Sequence, residues 1–396
     1  MGEEHERNAG RLVAAVCIAG PALVSLIPMA AAPALVAMAK HFGASADSQL
    51  FSQMVMTLPA AMLVVSAPLA GMLAGRIGQR AVLLGALVLY AIGGAGVLLV
   101  DSRWSLIALR LLLGIAGGGL LTSSLGLIGD HFSGHVRERV LGYATSISSL
   151  FAGLALVFGG RLVDLGGWQA PFSLYLLGVP TIFLAWAVIR NAEIDQHELA
   201  AHPASFRELV SQWPYYALLM LLTLGMFTPS IQAGFVLSAK GIGSAETIGS
   251  VIAATSFVAM FSAWAFGYLR NWLGLHGFLV IDAVSMGSGI LLIGLAGDVT
   301  HIFVGCALVG IGAGMSEPAT ASLLFQRLSP SVHALAMGLI VSALNAGQFF
   351  NPLVFDPVRR AIGASGSFVA LGMILLAAAL FVAVRNRQDI VERNQQ

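Results

Sequence analysis

The sequence predicts an all-α membrane protein in which twelve transmembrane helices form two pseudo-symmetric six-helix bundles. Of its 396 residues, 58% are hydrophobic and only 10% are charged, whereas soluble domains have about 25% charged residues. A helix that crosses a bilayer needs about 20 apolar residues. Twelve such helices would take up most of the chain and leave short connections. The composition therefore excludes a soluble globular protein.

Twelve apolar runs are separated by charges or by Gly and Pro clusters. Those of the first half lie near 12–38, 50–72, 81–100, 104–128, 139–160 and 170–190. Those of the second half lie near 212–237, 246–268, 276–297, 300–325, 332–355 and 364–384. We predict an N-terminal bundle over 1–191, a cytoplasmic linker over 192–211, and a C-terminal bundle over 212–396 with a short cytoplasmic tail.

The charge distribution bears on partners and on orientation. Twenty Lys and Arg residues face nineteen Asp and Glu residues, for a net charge of +1, and we expect no nucleic-acid partner because no basic stripe is present. Most of the Lys and Arg residues lie in loops on the side of both termini, and cytoplasmic loops carry such an excess. We predict a multi-pass protein of the cell inner (plasma) membrane with both termini in the cytoplasm.

An internal repeat appears when the chain is shifted on itself by 196 residues. The matched pairs include Gly71 with Gly267, Gly78 with Gly274, Gly114 with Gly310, Gly118 with Gly314, Gly142 with Gly338, and Pro33 with Pro229. Glycine is common in this chain, so the informative feature is one constant offset across several helices. The repeat predicts two halves related by duplication, as in transporters whose halves move around a central site.

The string GMLAGRIGQR at 71–80 resembles the signature between the second and third helices of the major facilitator superfamily. Gly75 stands where most members have an aspartate, and Asn271 holds that position in the second half. The resemblance implies the twelve-helix fold and secondary transport. It also implies a cytoplasmic gate that contains Gly71, Arg76, Gly78, Arg80, Asp130, Arg139, Gly267 and Gly274.

Three further motifs carry the resemblance across the chain. RLLLGIAGGG at 110–119 resembles the fourth-helix arginine motif, and GGWQAPF at 166–172 resembles the segment before the sixth helix. NAGQFFNPLV at 345–354 is similar to the eleventh helix of bacterial drug and sugar efflux members. Antiporters of the family commonly have a Gly-Pro pair in the fifth helix, where Ala155 and Leu156 stand here. Import and export therefore both stay open.

Three ionisable residues lie well inside predicted helices: Arg110, Asp282 and Glu317. Charges inside a bilayer are costly, so such residues are functional candidates. Arg110 could bind an anionic or carbonyl group of a substrate, or form a structural pair. Glu317, beside Pro318, is the first candidate for a proton site, although it could instead bond a neighbouring helix. We expect Asp282 to pair with a local donor, but either carboxyl could titrate.

Uncharged polar residues add candidates for substrate contact. Gln232 lies on predicted helix 7, and Asn345, Gln348 and Asn351 lie on predicted helix 11, helices that adjoin or line the central cavity by the resemblance. Each side chain could contact a substrate or join two helices. The prolines of helix 1 and Pro229 of helix 7 are predicted to bend those helices.

No P-loop, HExxH, CxxC pair or nucleophile elbow occurs in the sequence, so we expect neither an ATPase, a metal site nor an enzyme. We predict a secondary transporter without a cofactor, a monomer whose partners are a small-molecule substrate, protons and the lipid bilayer. Proton-coupled efflux of a hydrophobic or amphipathic compound is the favoured function. The alternatives are a proton symporter or facilitator that imports a sugar or nutrient and, in another class, a non-transporting membrane sensor.

Overall fold

A computed structural model describes residues 2–132, 134–189, 206–329 and 332–394. Every regular element within these ranges is helical. The chain divides into two compact units, Met1–Ala200 and Ala201–Gln396, and the division falls inside the predicted linker. Residues 190–205, which include most of that linker, lie outside the described residues.

The first unit contains six membrane-spanning segments, which are numbered here as spans 1 to 6. Span 1 is broken into an α-helix Gly2–Met29, a 3-10 turn Ala32–Ala34 and an α-helix Leu35–His41. Span 6 begins as a 3-10 helix Ala170–Leu177 and continues as the α-helix Gly178–Val188. The other four are span 2, Ala46–Ile77; span 3, Gln79–Ala95 with a 3-10 turn Gly96–Leu99; span 4, Arg103–His131; and span 5, Gly134–Gly166.

The second unit contains spans 7 to 12, preceded by a short helix Phe206–Ser211. Span 7 consists of the α-helix Trp213–Thr228, a π-helical turn Pro229–Ala233 and the α-helix Gly234–Ala239. Spans 8 and 9 share the helical run Ala245–Gly294, span 10 is Val299–Arg327, and spans 11 and 12 share the run His333–Asn394. Asp298 caps the start of span 10: its carboxylate accepts from the backbone N–H of His301, a bond that lowers the pKa of Asp298.

The two shared runs each contain two spans because a glycine breaks the helix in the middle. The apolar stretch Leu335–Val384 has 50 residues, or about 75 Å at 1.5 Å per residue, which is more than twice the hydrocarbon thickness of a bilayer. It breaks at Gly363, where φ is 78°, and the other run breaks at Gly274, where φ is 63°. These left-handed values suit a residue without a Cβ. Twelve spans result, as the sequence predicts.

The glycine breaks follow the internal repeat. Gly78 and Gly274 both have positive φ and lie 196 residues apart, and so do Gly167 and Gly363. The proline-containing interruptions of spans 1 and 7 also correspond, because Pro33 lies in the first and its partner Pro229 in the second. The duplication predicted from the sequence is therefore present in the backbone of both units.

Close backbone contacts between neighbouring spans repeat at the same offset. A Cβ added at Gly114 of span 4 would lie 2.4 Å from the carbonyl oxygen of Pro59 in span 2. A Cβ added at Gly310 of span 10 would lie 2.5 Å from the carbonyl oxygen of Thr255 in span 8. Further contacts that repeat are Gly118 with Ala67, Gly314 with Ala263, Gly93 with Leu113, and Gly289 with Val309. Small residues that let backbones approach are a main source of helix packing in membranes.

The predicted connections between spans 2 and 3, 8 and 9, and 11 and 12 are wrong in length. The segment 71–80 is helical except at Gly78, and residues 356–362, predicted as a connection, are helical. The reason is that one glycine with positive φ can change the direction of the chain in a single residue. The residues next to each glycine break were predicted as a loop, although their backbone is helical.

We expect Gly314→Ala to lower the free energy of unfolding by about 1–3 kcal/mol, the usual cost of overpacking. The added Cβ would lie 2.2 Å from the carbonyl oxygen of Ala259, an atom of a helix backbone that cannot rotate away. Gly338→Ala is the matched control, because its Cβ would meet nothing within 4 Å. Unfolding of the purified protein in mixed micelles measures both. Equal effects of the two substitutions would contradict the tight contact between spans 8 and 10.

Candidate functional site

Arg110 lies in the interior of the first unit, on span 4, with none of its surface exposed. Its guanidinium carbon is 4.6 Å from the ring centre of Phe172 and 5.4 Å from that of Tyr175. Its Nη1 donates a hydrogen bond of 3.3 Å to the Tyr175 hydroxyl. Nε and Nη2 have no hydrogen-bond partner among the described residues. Two aromatic rings thus hold the cation, and part of its donor capacity is unused.

The Tyr175 hydroxyl connects Arg110 to the break in span 1. The first helix of that span ends at Met29, and the last carbonyls of a helix lack the usual amide partners. Tyr175 donates to the carbonyl of Ile27 at 2.7 Å and accepts from Arg110. Tyr90 donates to the carbonyl of Leu23 at 2.8 Å. Two buried hydroxyls therefore bind the backbone of span 1 just before its break.

Polar side chains of spans 7 and 11 form a second site in the other unit. Asn351 is fully buried and donates at 2.9 Å to both the carbonyl of Leu224 and the hydroxyl of Thr228. Its side-chain oxygen accepts from Gln232 at 3.2 Å. The structure thus brings together two of the four uncharged candidates, Gln232 and Asn351, and adds Thr228.

This network lies at the π-helical turn of span 7. Pro229 has no N–H, so it cannot donate to the carbonyl one turn earlier, and π-turns are frequent at functional sites in helices. Gln232 is a member of that turn. The other two candidates of span 11 lie apart from the network: Gln348 is buried, and Asn345 is half-buried and donates to the carbonyl of Val341 in its own helix.

The two intramembrane carboxyls have opposite environments. Glu317 lies on span 10 directly before Pro318 and is exposed, ten residues before the helix ends at Arg327. Asp282 of span 9 has no exposed surface, and neither of its carboxyl oxygens has a hydrogen-bond partner among the described residues. The local donor expected for Asp282 is therefore missing from the described part of the chain. Of the two side chains, Glu317 has accessible surface and Asp282 has none.

The predicted gate residues of the first unit lie at one end of the bundle. Gly71 and Arg76 are in span 2, and Gly78 is the break that follows it. Arg80 donates to the carbonyl of Trp186 at 2.9 Å. Asp130 and Arg139 are both exposed, and the described residues contain no ion pair between them. In the second unit, Gly267 is exposed within the helical run and Gly274 is its break.

The sequence interpretation missed the residues that hold the candidates in place, namely Tyr175, Tyr90, Phe172 and Thr228. A usable signal existed for the two tyrosines, because a hydroxyl buried in an apolar helix needs a partner. Within the described ranges, no group of three or more His, Cys, Asp or Glu residues could bind a metal ion.

We expect Asn351→Ala to lower the free energy of unfolding by about 1–2 kcal/mol, because it removes three interhelical hydrogen bonds in a membrane bundle. Asn345→Ala is the matched control on the same helix, since it removes one bond within the helix, and we expect a loss below about 0.5 kcal/mol. Denaturant unfolding in mixed micelles compares them. If Asn345→Ala lowers the free energy of unfolding as much as Asn351→Ala does, the hydrogen bonds of Asn351 do not stabilise the contact between spans 7 and 11.

Comparison with known proteins identifies the family. The family model of the Major Facilitator Superfamily matches residues 18–352. A putative tartrate transporter of Agrobacterium vitis is 23% identical over 355 residues, which are 80% of this chain and 78% of that protein. A protein described as a multi-drug resistance efflux pump PmrA homolog, from Lactococcus lactis, is 23% identical over 359 residues and 87% of each chain.

A solved structure of similar fold is that of a D-xylose-proton symporter. It superposes with a TM-score of 0.77 at 15% sequence identity and covers 94% of this chain and 96% of its own. The similarity to that structure concerns the fold. The match of the family model to most of the sequence, the twelve spans and the repeated halves lead to one conclusion: the chain belongs to the major facilitator superfamily and is a multi-pass membrane transporter of small molecules rather than an enzyme.

Proposed function

We propose that the protein exports a hydrophobic or amphipathic organic molecule in exchange for protons, and that Glu317 carries the exchanged proton. The halves would rock around a central site, as in other transporters built from repeats. The observation that carries the proposal is the exposure of Glu317 more than two helical turns inside span 10. A carboxyl at such a depth is costly and is a functional candidate by default.

Glu317 suits proton exchange better than Asp282 because a proton must reach the group and leave it. Asp282 is enclosed against Gly312 of span 10, whose added Cβ would lie 2.7 Å from the carbonyl oxygen of Asp282. Ionising a carboxyl there would leave an unpaired charge away from water, which is very unfavourable. We therefore assign Asp282 a structural role in the contact between spans 9 and 10.

The proposed substrate class follows from the small number of charges in the spans. Apart from Arg110, Asp282 and Glu317, the interior candidates are neutral amides and hydroxyls, and apolar pockets with few polar groups suit amphipathic molecules. The efflux-pump name of one relative supports this reading. The predicted monomeric state and inner-membrane location with cytoplasmic termini belong to the same proposal.

A second candidate function is uptake of a nutrient, by proton symport or by facilitated transport. The observation that favours it is Arg110, whose Nε and Nη2 have no hydrogen-bond partner among the described residues and could bind the carboxylate or hydroxyl groups of an organic acid or sugar. The tartrate-transporter name of another relative is in line with this. In the present conformation Phe172 and Tyr175 enclose Arg110, so substrate contact would require these rings to move.

We expect Glu317→Gln to abolish proton-driven transport while leaving exchange of substrate intact. The probe is ethidium, an amphipathic cation, offered to proteoliposomes that are acidic inside. The wild type should accumulate ethidium. In Glu317→Gln the accumulation should be at least about tenfold lower, because an acid–base group is lost. Exchange of labelled for unlabelled ethidium without a gradient should survive, because it needs no proton.

Asp282→Asn is the matched control, since it also replaces an intramembrane carboxyl by its amide, and it should retain accumulation within about twofold if its role is structural. Loss of accumulation in Asp282→Asn and not in Glu317→Gln would transfer the proton site to span 9. If the protein transports tartrate or D-xylose but not ethidium, and the compound accumulates on the less acidic side of the membrane, the uptake function would be favoured.

A further inference from the structure

A groove lies on the outer surface of the second unit, between the start of span 7, the start of span 9 and the end of span 12. It is lined by Leu218 of span 7 and by Ala378, Phe381 and Val382 of span 12. Tyr215 and His276 form its polar part. The groove is partly open to its surroundings, and its walls are mostly apolar.

An arginine from a fourth helix stands at the polar side of the groove. Arg327, the last residue of span 10, has its guanidinium carbon 4.9 Å from the ring centre of Tyr215. Its Nη2 is 3.3 Å from Nε2 of His276, and the Tyr215 hydroxyl is 3.4 Å from the same nitrogen. Because a guanidinium can only donate, Nε2 of His276 accepts from Arg327. The three side chains hold a cation beside an apolar groove.

The surroundings place this group at the level of the lipid headgroups. Spans 7 and 9 begin here and span 10 ends here, and Trp213, at the start of span 7, is 64% exposed. Exposed Trp and Tyr residues at helix ends are typical of the membrane interface. Arg207 is exposed on the preceding short helix, whereas the carboxylate of Glu208 accepts hydrogen bonds from Ser329. Arg327, the last residue of span 10, is thus a cation at the level where phosphate groups lie.

The groove is not a by-product of the duplicated scaffold. At the 196-residue offset, Tyr215 corresponds to Ala19 and Phe381 to Ala185 in the first unit. Two aromatic walls of the groove are thus methyl groups in the other half, and Ala185 is fully buried. The aromatic walls and the arginine occur together only in the second of the two repeats.

We propose that this groove binds an anionic phospholipid, with the phosphate on Arg327 and Tyr215 and one acyl chain against Leu218, Ala378 and Phe381. The planar guanidinium offers several N–H donors that match phosphate oxygens, and basic pockets between membrane helices bind acidic headgroups. The apolar walls favour a lipid over a free phosphate ion, because an ion would leave them exposed. The site lies apart from Glu317 and the network of Asn351 and is independent of the transported substrate.

The test measures lipid binding to the full-length protein in detergent, with native mass spectrometry and the melting temperature as readouts. The probes are dioleoylphosphatidylglycerol, dioleoylphosphatidylcholine and inorganic phosphate. We expect the glycerol lipid to bind and to raise the melting temperature, and the choline lipid to bind at least about fivefold more weakly for lack of net charge. Inorganic phosphate should neither stabilise the protein nor displace the lipid at equal concentration.

Three variants separate a built site from general attraction. Arg327→Ala should weaken binding of the glycerol lipid about tenfold, whereas Arg207→Ala, which removes an exposed arginine at the same end of the unit, should change it by less than about twofold. Ala378→Trp fills the groove and should weaken binding with every charge intact. If Arg327→Ala does not yield monodisperse protein, Arg327→Gln replaces it.

Equal losses for Arg327→Ala and Arg207→Ala would overturn the proposal in favour of non-specific adsorption. Wild-type binding by Ala378→Trp would overturn the acyl-chain groove. Displacement of the lipid by inorganic phosphate at equal concentration would mean that an ion site, and not a lipid site, is present.

Discussion

The structure depends first on backbone contact between spans 2 and 4 and between spans 8 and 10. Gly114 and Gly310 allow these contacts, and added Cβ atoms there would approach carbonyl oxygens at 2.4 and 2.5 Å. Such close approach gives dispersion contacts along whole helices in a medium where apolar side chains gain little from leaving lipid. The same helices carry Arg110 and Glu317, four residues before Gly114 and three residues after Gly314. The packing therefore fixes the heights at which the two charges lie.

The helices of spans 1 and 7 are each interrupted, and side chains of other spans bind backbone carbonyls near these breaks. A carbonyl without a partner is unfavourable in the apolar layer. In the first unit the Tyr175 hydroxyl donates to the carbonyl of Ile27, which lies in the last turn of its helix. In the second unit Asn351 donates to the carbonyl of Leu224, which also accepts from the Thr228 hydroxyl. Tyr175 and Asn351 each come from a neighbouring span. A change in either break would have to exchange these side-chain bonds.

Sequence patterns predicted the fold well and the candidate site only in part. Twelve spans, the duplication and its offset follow from hydropathy and from the glycine pairs, because both are properties of local sequence. The pairing of Gln232 with Asn351 joins residues that are 119 positions apart, and no helical periodicity relates two different helices. The enclosure of Arg110 by Phe172 and Tyr175 was missed for the same reason. The helical course of 71–77 was missed because Gly75 and Arg76 suggested the end of the apolar run.

The two halves differ at the candidate functional residues. At the 196-residue offset Arg110 corresponds to Cys306, Glu317 to Leu121, and Asn351 to Ala155. The duplication thus gives both halves the same helices. Single substitutions then place an arginine, Arg110, in the first unit and a carboxyl, Glu317, in the second. In the exchange of substrate for protons that we propose, ligand binding would depend on whether Glu317 is ionised.

A thermal-stability screen of the purified protein against diverse compounds, at pH 6 and pH 8 and beside Glu317→Gln, tests this dependence. A ligand at one hundred times its dissociation constant adds about 2.7 kcal/mol of apparent stability. If ligand and proton are exchanged, the ligand binds the form in which Glu317 is ionised, and this form is more populated at pH 8. Exchange therefore predicts larger stabilisation by the ligand at pH 8 than at pH 6, and no pH difference in Glu317→Gln. Stabilisation that is equal at both pH values in the wild type, or a pH difference that persists in Glu317→Gln, would contradict Glu317 as the proton carrier.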